Sequence, residues 1–330
     1  METLRRVVTE DDRHEVVWTA ENGKIAITKC AGKVPDLILM DLIMPVMNGV
    51  ESTRRIMKLS PCPILIVTAS VGGNSALVFE AMGAGALDVV ATPIMDAKDG
   101  AGGQELLQKI ERIGKIIGIK DKPVPKSPVK PVKLDMKAPE GPCLIVVGCS
   151  TGGPQALLEV LTALPGDLPG SIVVVQHMDE QFTRGLADWL NSQLALTVRV
   201  MKEGDRPLPG TVLIPSTNHH MIMYPNKSLG YSEEPKKNFY HPSADVFFNS
   251  VARYWRGRCI AVLLTGMGRD GAEGMLALHQ QGHMTIAQDR KSSVVFGMPK
   301  AAIELGAARE ILPLNAIGER IRNLLTAERE

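Results

Sequence analysis

LIVVGCSTGGP, at residues 144–154, is the stretch of sequence from which the fold of the larger part of this chain follows. Its apolar start predicts a short buried strand, and the pattern after Pro154 predicts a helix over 155–161. Glycines on both sides of Ser150 permit a tight turn between the two elements. A helix that begins there directs unpaired N–H groups and its positive dipole end toward Ser150. This arrangement favours a nucleophile whose attack creates an oxyanion.

Two later apolar runs also lead into residues that serve in nucleophilic catalysis. SIVVVQH, at 171–177, ends on His177, and CIAVLLT, at 259–265, precedes the loop GMGRDG, which contains Asp270. The carboxyl ends of parallel strands lie on one edge of a sheet, where catalytic groups collect. Ser150, His177 and Asp270 are therefore predicted to meet there as nucleophile, proton shuttle and orienting carboxylate.

Composition limits the classes of function. The chain has 330 residues, of which 45% are hydrophobic and 22% charged, as in globular proteins with room for two domains. A formal net charge of +1 gives no electrostatic argument for binding nucleic acid or anionic membranes. No apolar run reaches membrane-spanning length and no signal peptide is evident, so we expect a cytoplasmic protein without membrane insertion. Five scattered cysteines lack metal-ligand spacing and are expected to be reduced core residues.

A proline- and lysine-rich linker is predicted at 119–140. It separates an N-terminal domain over 1–118 from a larger domain over 141–330. The N-terminal domain alternates helical and strand patterns, which predicts a parallel sheet covered by helices. The predicted strands are 14–20, 36–41, 63–68 and 86–91, and the predicted helices are 1–9, 23–30, 50–59, 75–82 and 105–117.

Two N-terminal segments, LILMDLIMPVMNG at 37–49 and ILIVTA at 64–69, resemble response-regulator receiver domains. The resemblance implies a flavodoxin-like α/β fold in which Asp41 accepts a phosphoryl group and Thr68 senses it. It also implies a histidine kinase as partner and Mg²⁺ as the cofactor of phosphorylation. The alternative for Asp41 is a solvated or capping residue at a strand end.

The same region departs from the receiver pattern. A receiver begins with a central strand that ends in a magnesium-binding acidic pair, whereas this chain begins with the pattern of the first helix. We therefore expect an incomplete receiver that lacks its first strand, through a misplaced or truncated reading frame or through degeneration. Asp11 and Asp12 follow that helix and are poor substitutes for the pair. Thr92 and Pro93 occupy the place of the family's lysine.

The larger domain resembles chemotaxis protein-glutamate methylesterases over almost all of 142–315. The segments that carry the resemblance are GCSTGGP (148–154), QHM (176–178), PSAD (242–245), LTGMGRDG (264–271) and VVFGMP (294–299). The resemblance implies a doubly wound, mostly parallel sheet and a carboxylic ester hydrolase with Ser150, His177 and Asp270 as its triad. Backbone N–H groups near His177 and Met267 would bind the oxyanion, and Thr151 would position the imidazole.

The resemblance also implies the reaction and its regulation. The substrates would be γ-glutamyl methyl esters on chemoreceptor cytoplasmic helices, with release of methanol, and certain receptor glutamines would be deamidated. The esterase would need no metal or organic cofactor. An unphosphorylated receiver would cover the active-site edge, so the departures of this receiver predict weak autoinhibition and little activation by phosphodonors.

Each assignment has a structural alternative. Ser150 could cap the following helix, His177 could be a buried strand-end histidine, and Asp270 could be a turn residue. Cys149 is a rival nucleophile, although its strand-end context favours a packed thiol. Two other functions stay open: a phosphate-binding module at the helix N-terminus, and a non-catalytic scaffold that binds receptors. The other histidines that compete for the role of base are His14, His219, His220, His241, His279 and His283.

Overall fold

The computed structural model describes residues 2–69, 75–93, 101–117, 142–236, 238 and 240–326. The chain divides into two compact units, Met1–Pro125 and Lys126–Glu330. The linker predicted at 119–140 lies outside the described residues and stays a prediction. Within the described ranges, no helix combines the length and apolar character needed to cross a membrane.

The first unit is a small parallel sheet with helices packed on it. Its strands pair in the order β1-β2-β3, all parallel. Asn22 and Asn48 cap α2 and α3, because each side-chain oxygen accepts a backbone N–H from the first turn. The elements are α1 (Glu2–Thr9), α2 (Gly23–Gly32), β1 (Ile38–Asp41), α3 (Gly49–Leu59), β2 (Ile64–Thr68), α4 (Ser75–Gly83), β3 (Asp88–Ala91) and α5 (Ala101–Ile117).

The prediction of a strand at 14–20 is wrong. These residues form no strand in the structure, although the other three predicted strands of this unit are present. A strand requires a partner for its ladder of hydrogen bonds. The described residues provide β1 with one neighbour, β2, and provide no ladder partner for 14–20. The helix predicted at the start of the chain is present as α1, whose Val7 packs with Leu65 and Leu106 in the core.

The second unit is built around a seven-stranded sheet. Its elements are β4 (Cys143–Cys149), α6 (Gly153–Thr162), β5 (Gly170–Gln176), α7 (Glu180–Gln193), β6 (Thr197–Val200), β7 (Thr211–Ile214), β8 (His220–Met223), β9 (Leu229–Ser232), α8 (Ala244–Tyr254), β10 (Cys259–Leu263), α9 (Ala272–Gln280), β11 (Met284–Gln288), α10 (Met298–Glu304), β12 (Glu310–Leu312) and α11 (Leu314–Thr326). β8 and β9 form a separate antiparallel hairpin.

The strand order of the large sheet defines where a site can form. The order is β12-β11-β10-β4-β5-β7-β6, and every pair is parallel. The central strands β4 and β5 are buried along their whole length, as expected for runs of branched apolar residues. From β4 the chain proceeds to β5 on one side and later returns to β10 on the other. This change of direction opens a crevice at the carboxyl ends of the strands.

Candidate active site

Ser150 and His177 occupy equivalent positions on two neighbouring strands. The β4–β5 ladder ends with Cys149 beside Gln176, so the next residues on each strand are Ser150 and His177. The His177 N–H donates to the Cys149 carbonyl at 3.0 Å. On its other side, the Ser150 N–H donates to the Thr265 carbonyl at 3.0 Å. Neighbouring strands lie about 4.8 Å apart, and the register therefore places the hydroxyl and the imidazole at the same sheet edge.

Asp270 is bonded directly to His177. The distance between His177 Nε2 and Asp270 Oδ2 is 2.7 Å. The carboxylate also accepts the Ser243 hydroxyl at 2.6 Å and the backbone N–H groups of Ala244 at 2.6 Å and Asp245 at 3.2 Å. These last three donors belong to the N-terminus of α8, where the helix dipole stabilises negative charge. A group that orients an imidazole needs this kind of immobilisation.

The environment keeps Asp270 ionised. Burial alone would raise the pKa of this carboxyl, but hydrogen bonds and charge interaction from His177, with the donors at Ser243 and Ala244, bring its pKa below the usual value of 3.8. A lowered pKa in the folded state means that the associated stability is fully present above 3.8 and is lost as the pH falls through the lower folded value. The carboxylate is therefore charged at neutral pH.

The bond to Asp270 assigns the two nitrogens of His177 different tasks. A carboxylate only accepts, so Nε2 carries the proton in the neutral ring and Nδ1 keeps its lone pair. Nδ1 is buried and has no hydrogen-bond partner in the described part of the chain. The Ser150 hydroxyl is therefore not bonded to it here; catalytic hydrogen bonds are often long in unliganded enzymes. Nδ1 is the nitrogen available as a base.

Comparison with known proteins identifies the family. Residues 145–321 match the family described as CheB methylesterase, and residues 1–99 match the response regulator receiver domain. A protein-glutamate methylesterase/protein-glutamine glutaminase of the group 3 operon of Pseudomonas putida is 51% identical over 322 residues, which cover 97% of this chain and 95% of that protein. A protein with the same two activities in its name, from Mesorhizobium japonicum, is 51% identical over 326 residues, covering 97% and 94%.

The chain belongs to the CheB methylesterase family. Its structure is similar to that of the Thermotoga maritima CheB methylesterase catalytic domain, with a TM-score of 0.54 and 37% identity over 56% of this chain and 100% of that one. The predicted fold class, with a receiver and a mostly parallel methylesterase sheet, is confirmed.

Gln176 of this CheB chain contacts two of the candidate site residues, a role that the sequence pattern did not predict. Its Nε2 donates to the Ser150 carbonyl at 3.0 Å and to the His177 carbonyl at 3.1 Å. One buried amide thus ties together the backbones of both residues. The available signal was a polar side chain at the end of a buried apolar strand, where it is only 5% exposed.

Ser243, in the segment PSAD, has a second role that the sequence pattern does not predict. It is the N-cap of α8, and its hydroxyl also donates to Asp270. A serine directly before a helix indicates a cap. Its second bond, to a residue 27 positions away along the chain, depends on tertiary structure and has no signal in the sequence.

The predicted positioning role of Thr151 is not supported. The imidazole of His177 bonds Asp270 through Nε2, and Nδ1 has no partner among the described residues. Thr151 instead accepts the Thr265 hydroxyl through its carbonyl at 3.0 Å. Thr151 is itself buried, with an exposed fraction of 9%.

The loop that follows β10 contains the predicted oxyanion donor. The His177 N–H is already bonded to Cys149 and is not available for this task. In the described chain the Met267 N–H forms no hydrogen bond, whereas its neighbour Gly266 donates to Val295 at 3.0 Å. Gly266 must be small, since a Cβ there would lie 2.8 Å from the Cβ of Ser150. Met267 therefore stays a candidate donor beside the nucleophile.

The alternative role of Ser150, as the cap of the following helix, is excluded. The N-cap of α6 is Gly152, and no side chain caps this helix. Ser150 lies two residues before the cap and does not bond the first turn with its hydroxyl. The phosphate-binding alternative is also weakened, because the Gly153 N–H donates to the Ser150 carbonyl at 2.7 Å and Pro154 has no N–H.

Neither Cys149 nor another histidine has the contacts expected of a nucleophile or base at this site. Cys149 is fully buried, and burial raises the pKa of its thiol far above the ordinary range, so it stays protonated. Among the described residues, no histidine other than His177 bonds Asp270. His220 is buried and bonds the Pro235 carbonyl at 3.3 Å, and His279 bonds the Thr285 hydroxyl at 3.3 Å.

In the receiver unit, Asp41 and Thr68 lie at the same edge of the small sheet. Asp41 is the last residue of β1 and pairs with Val67, so Thr68 is the next residue on the neighbouring strand. Asp41 is exposed, its carboxylate accepts the Ile43 N–H at 3.2 Å, and Thr68 is 1% exposed. The two residues to which the receiver resemblance assigns phosphoryl acceptance and sensing therefore lie on adjacent strands.

The described residues do not fit a Mg²⁺ site beside Asp41. Asp11 is held by two nitrogens of Arg13, at 2.9 and 2.7 Å, and hydrogen bonds from Arg13 lower its pKa. Nowhere in the described ranges do three His, Cys, Asp or Glu side chains come together to hold a metal ion. Magnesium usually binds through one or two carboxylates with near-octahedral geometry, and of the two acidic residues that follow α1, Asp11 is engaged with Arg13.

Proposed function

We propose that this chain hydrolyses γ-glutamyl methyl esters on the cytoplasmic helices of chemoreceptors and deamidates receptor glutamines. Ser150 is the nucleophile, His177 the general base and acid, and Asp270 the orienting carboxylate. The observation that supports the proposal is the 2.7 Å bond between His177 and Asp270 beside Ser150, at the crevice between β4 and β10. The names of the Pseudomonas and Mesorhizobium relatives supply both reaction types.

The acylation step begins at the Ser150 hydroxyl. Its Oγ attacks the carbonyl carbon of the glutamyl ester while Nδ1 of His177 takes the proton. The negative charge that develops on the carbonyl oxygen is bound by the Met267 N–H, and one such donor is typically worth about 3 kcal/mol. The protonated Nδ1 then donates to the departing methoxide, which leaves as methanol. Ser150 is left as an acyl ester of the receptor glutamate.

Deacylation repeats the same proton transfers with water. Nδ1 takes a proton from water, whose oxygen attacks the acyl carbon, and the proton then returns to Ser150 Oγ. The products are a receptor carboxylate and the free enzyme. With a glutamine substrate the leaving group is ammonia. Asp270 stays ionised throughout and stabilises the imidazolium through Nε2–H.

The function is tested by measuring both leaving groups. We expect the full-length protein to release methanol from a methylated chemoreceptor cytoplasmic fragment and ammonia from a fragment with glutamine at the same positions. His177→Ala should abolish both reactions together, because both use the same Nδ1. His219→Ala, an exposed histidine outside the triad, is the matched control. Methanol release retained by His177→Ala, or lost equally in the control, would contradict the assignment.

Asp41 is the position at which a histidine kinase of a chemosensory system would transfer a phosphoryl group to a competent receiver, and we propose that this receiver is not competent. Because the acidic pair is not present among the described residues, we expect acetyl phosphate with Mg²⁺ to change methanol release by the full-length protein very little. Asp41→Asn should behave like the wild type, and Asp36→Asn, which changes an exposed carboxylate before the start of β1, is the control. Strong activation by acetyl phosphate that Asp41→Asn removes would show that a competent phosphorylation site exists.

A further inference from the structure

Tyr240 lies flat against the imidazole of His177. The two ring centroids are 4.3 Å apart and the planes are inclined by 13°. The His177 side chain is 10% exposed, whereas Tyr240 is half-buried. Rotation of the imidazole about its Cβ–Cγ bond would drive it into the tyrosine ring. The bond to Asp270 holds one edge of the imidazole and Tyr240 holds its plane, so together they direct Nδ1.

The hydroxyl of Tyr240 bonds the tyrosine to the loop that contains the candidate oxyanion donor, Met267. Tyr240 Oη donates to the Met267 carbonyl at 3.4 Å. The next residue, Gly268, has a φ of +93°, and a Cβ at this position would collide with Tyr240 Oη. The second glycine of the GMG segment therefore makes room for the tyrosine. Three residues after Tyr240, Ser243 donates to Asp270, so one short segment supports two parts of the site.

Tyr240 borders open space. It lines a cavity of about 250 Å³, together with Asn238, Asp245, Arg269 and Asp270. A tyrosine that served only as packing would be enclosed by apolar side chains, as Phe247 and Phe248 are in the core of this unit. Tyr240 instead stacks on the imidazole and also borders this cavity, whose lining is largely polar.

We propose that Tyr240 is a positioning residue for the acyl-transfer reaction. It fixes the plane of His177 so that Nδ1 faces Ser150, and its face stabilises the imidazolium that forms in each half-reaction. An aromatic face next to a cation is attractive, and the attraction increases when the pair is shielded from water. This inference rests on the triad assigned under the proposed function and goes beyond it, because Tyr240 acts through His177 and touches no reacting atom.

The test compares ring removal with hydroxyl removal in the full-length protein. Tyr240→Leu should lower kcat for methanol release about ten-fold or more, with KM nearly unchanged. Tyr240→Phe retains the ring and should restore most of the rate. Tyr224→Leu removes a tyrosine that bonds Glu203, away from the triad, and is the matched control. The rate of Ser150 labelling by a fluorophosphonate should follow the same order, because it reports nucleophile activation without the receptor.

Three results would overturn the proposal: an unchanged kcat in Tyr240→Leu, a change confined to KM, or an equal loss in Tyr240→Phe. Circular dichroism establishes that each variant is folded. If Tyr240→Leu is unfolded, Tyr240→Gln replaces it, with the same expected loss. Failure of the proposed function has a different signature, because wild-type protein would then release no methanol and Ser150→Ala would not abolish labelling.

Discussion

Replacement of Ser150 by alanine is expected to lower kcat for methanol release about a million-fold, the loss typical of a removed triad nucleophile. The fold should remain intact, because Gly152 and not Ser150 caps α6, and the bonds that hold Ser150 use its backbone. Receptor binding should be unchanged. Steady-state methanol release and a binding assay on the same protein measure both effects.

The control for Ser150→Ala is a substitution of the neighbouring residue, Cys149. Cys149→Ala removes a buried sulfur whose contact is the Val175 carbonyl at 3.9 Å, and it should leave most of the turnover intact. A protein that lost its activity in Cys149→Ala but kept it in Ser150→Ala would require a different nucleophile. A protein unaffected by either change in all assays would be a binding scaffold, the alternative left open above.

Asp270→Asn should lower kcat about ten-thousand-fold, as expected when the orienting carboxylate of a triad is replaced by an amide. The amide nitrogen would donate to Nε2 of His177, so the ring proton would move to Nδ1. An Nδ1 that carries the proton cannot accept another from Ser150. KM should change little, because Asp270 is 5% exposed and its carboxylate is engaged with His177 and the start of α8. Methanol release over a range of receptor concentrations separates kcat from KM.

Variants of two residues near Asp270 test whether the loss in Asp270→Asn is specific to this carboxylate. Asp245→Asn changes a second carboxyl at the start of α8, whose pKa burial raises to about 6 and which bonds the Gly274 N–H at 2.7 Å but not His177. This variant should retain most of its turnover. Ser243→Ala removes one donor to Asp270 and should cause an intermediate loss. An equal loss in Asp245→Asn and Asp270→Asn would point to general damage at α8 and contradict the orienting role.

Much of the catalytic arrangement could be predicted from local patterns. Runs of branched apolar residues predict buried parallel strands, and in such a sheet the residues that follow the strands meet at one edge. This reasoning predicts Ser150, His177 and Asp270 as the triad, and the structure brings the last two into a direct bond. The prediction of a strand at 14–20 was wrong because an extended pattern becomes a strand only when another strand pairs with it. A local pattern does not show whether such a partner exists.

The residues alone established the strand ends, the serine turn and the family, since periodicity and short motifs depend on neighbours along the chain. The folded chain alone shows which imidazole nitrogen faces Asp270, that the Thr151 carbonyl bonds Thr265, and that Gln176, Ser243 and Tyr240 contact residues of the proposed triad. These facts depend on contacts between segments distant in sequence, and such contacts arise from strand register and side-chain packing, which no local pattern specifies.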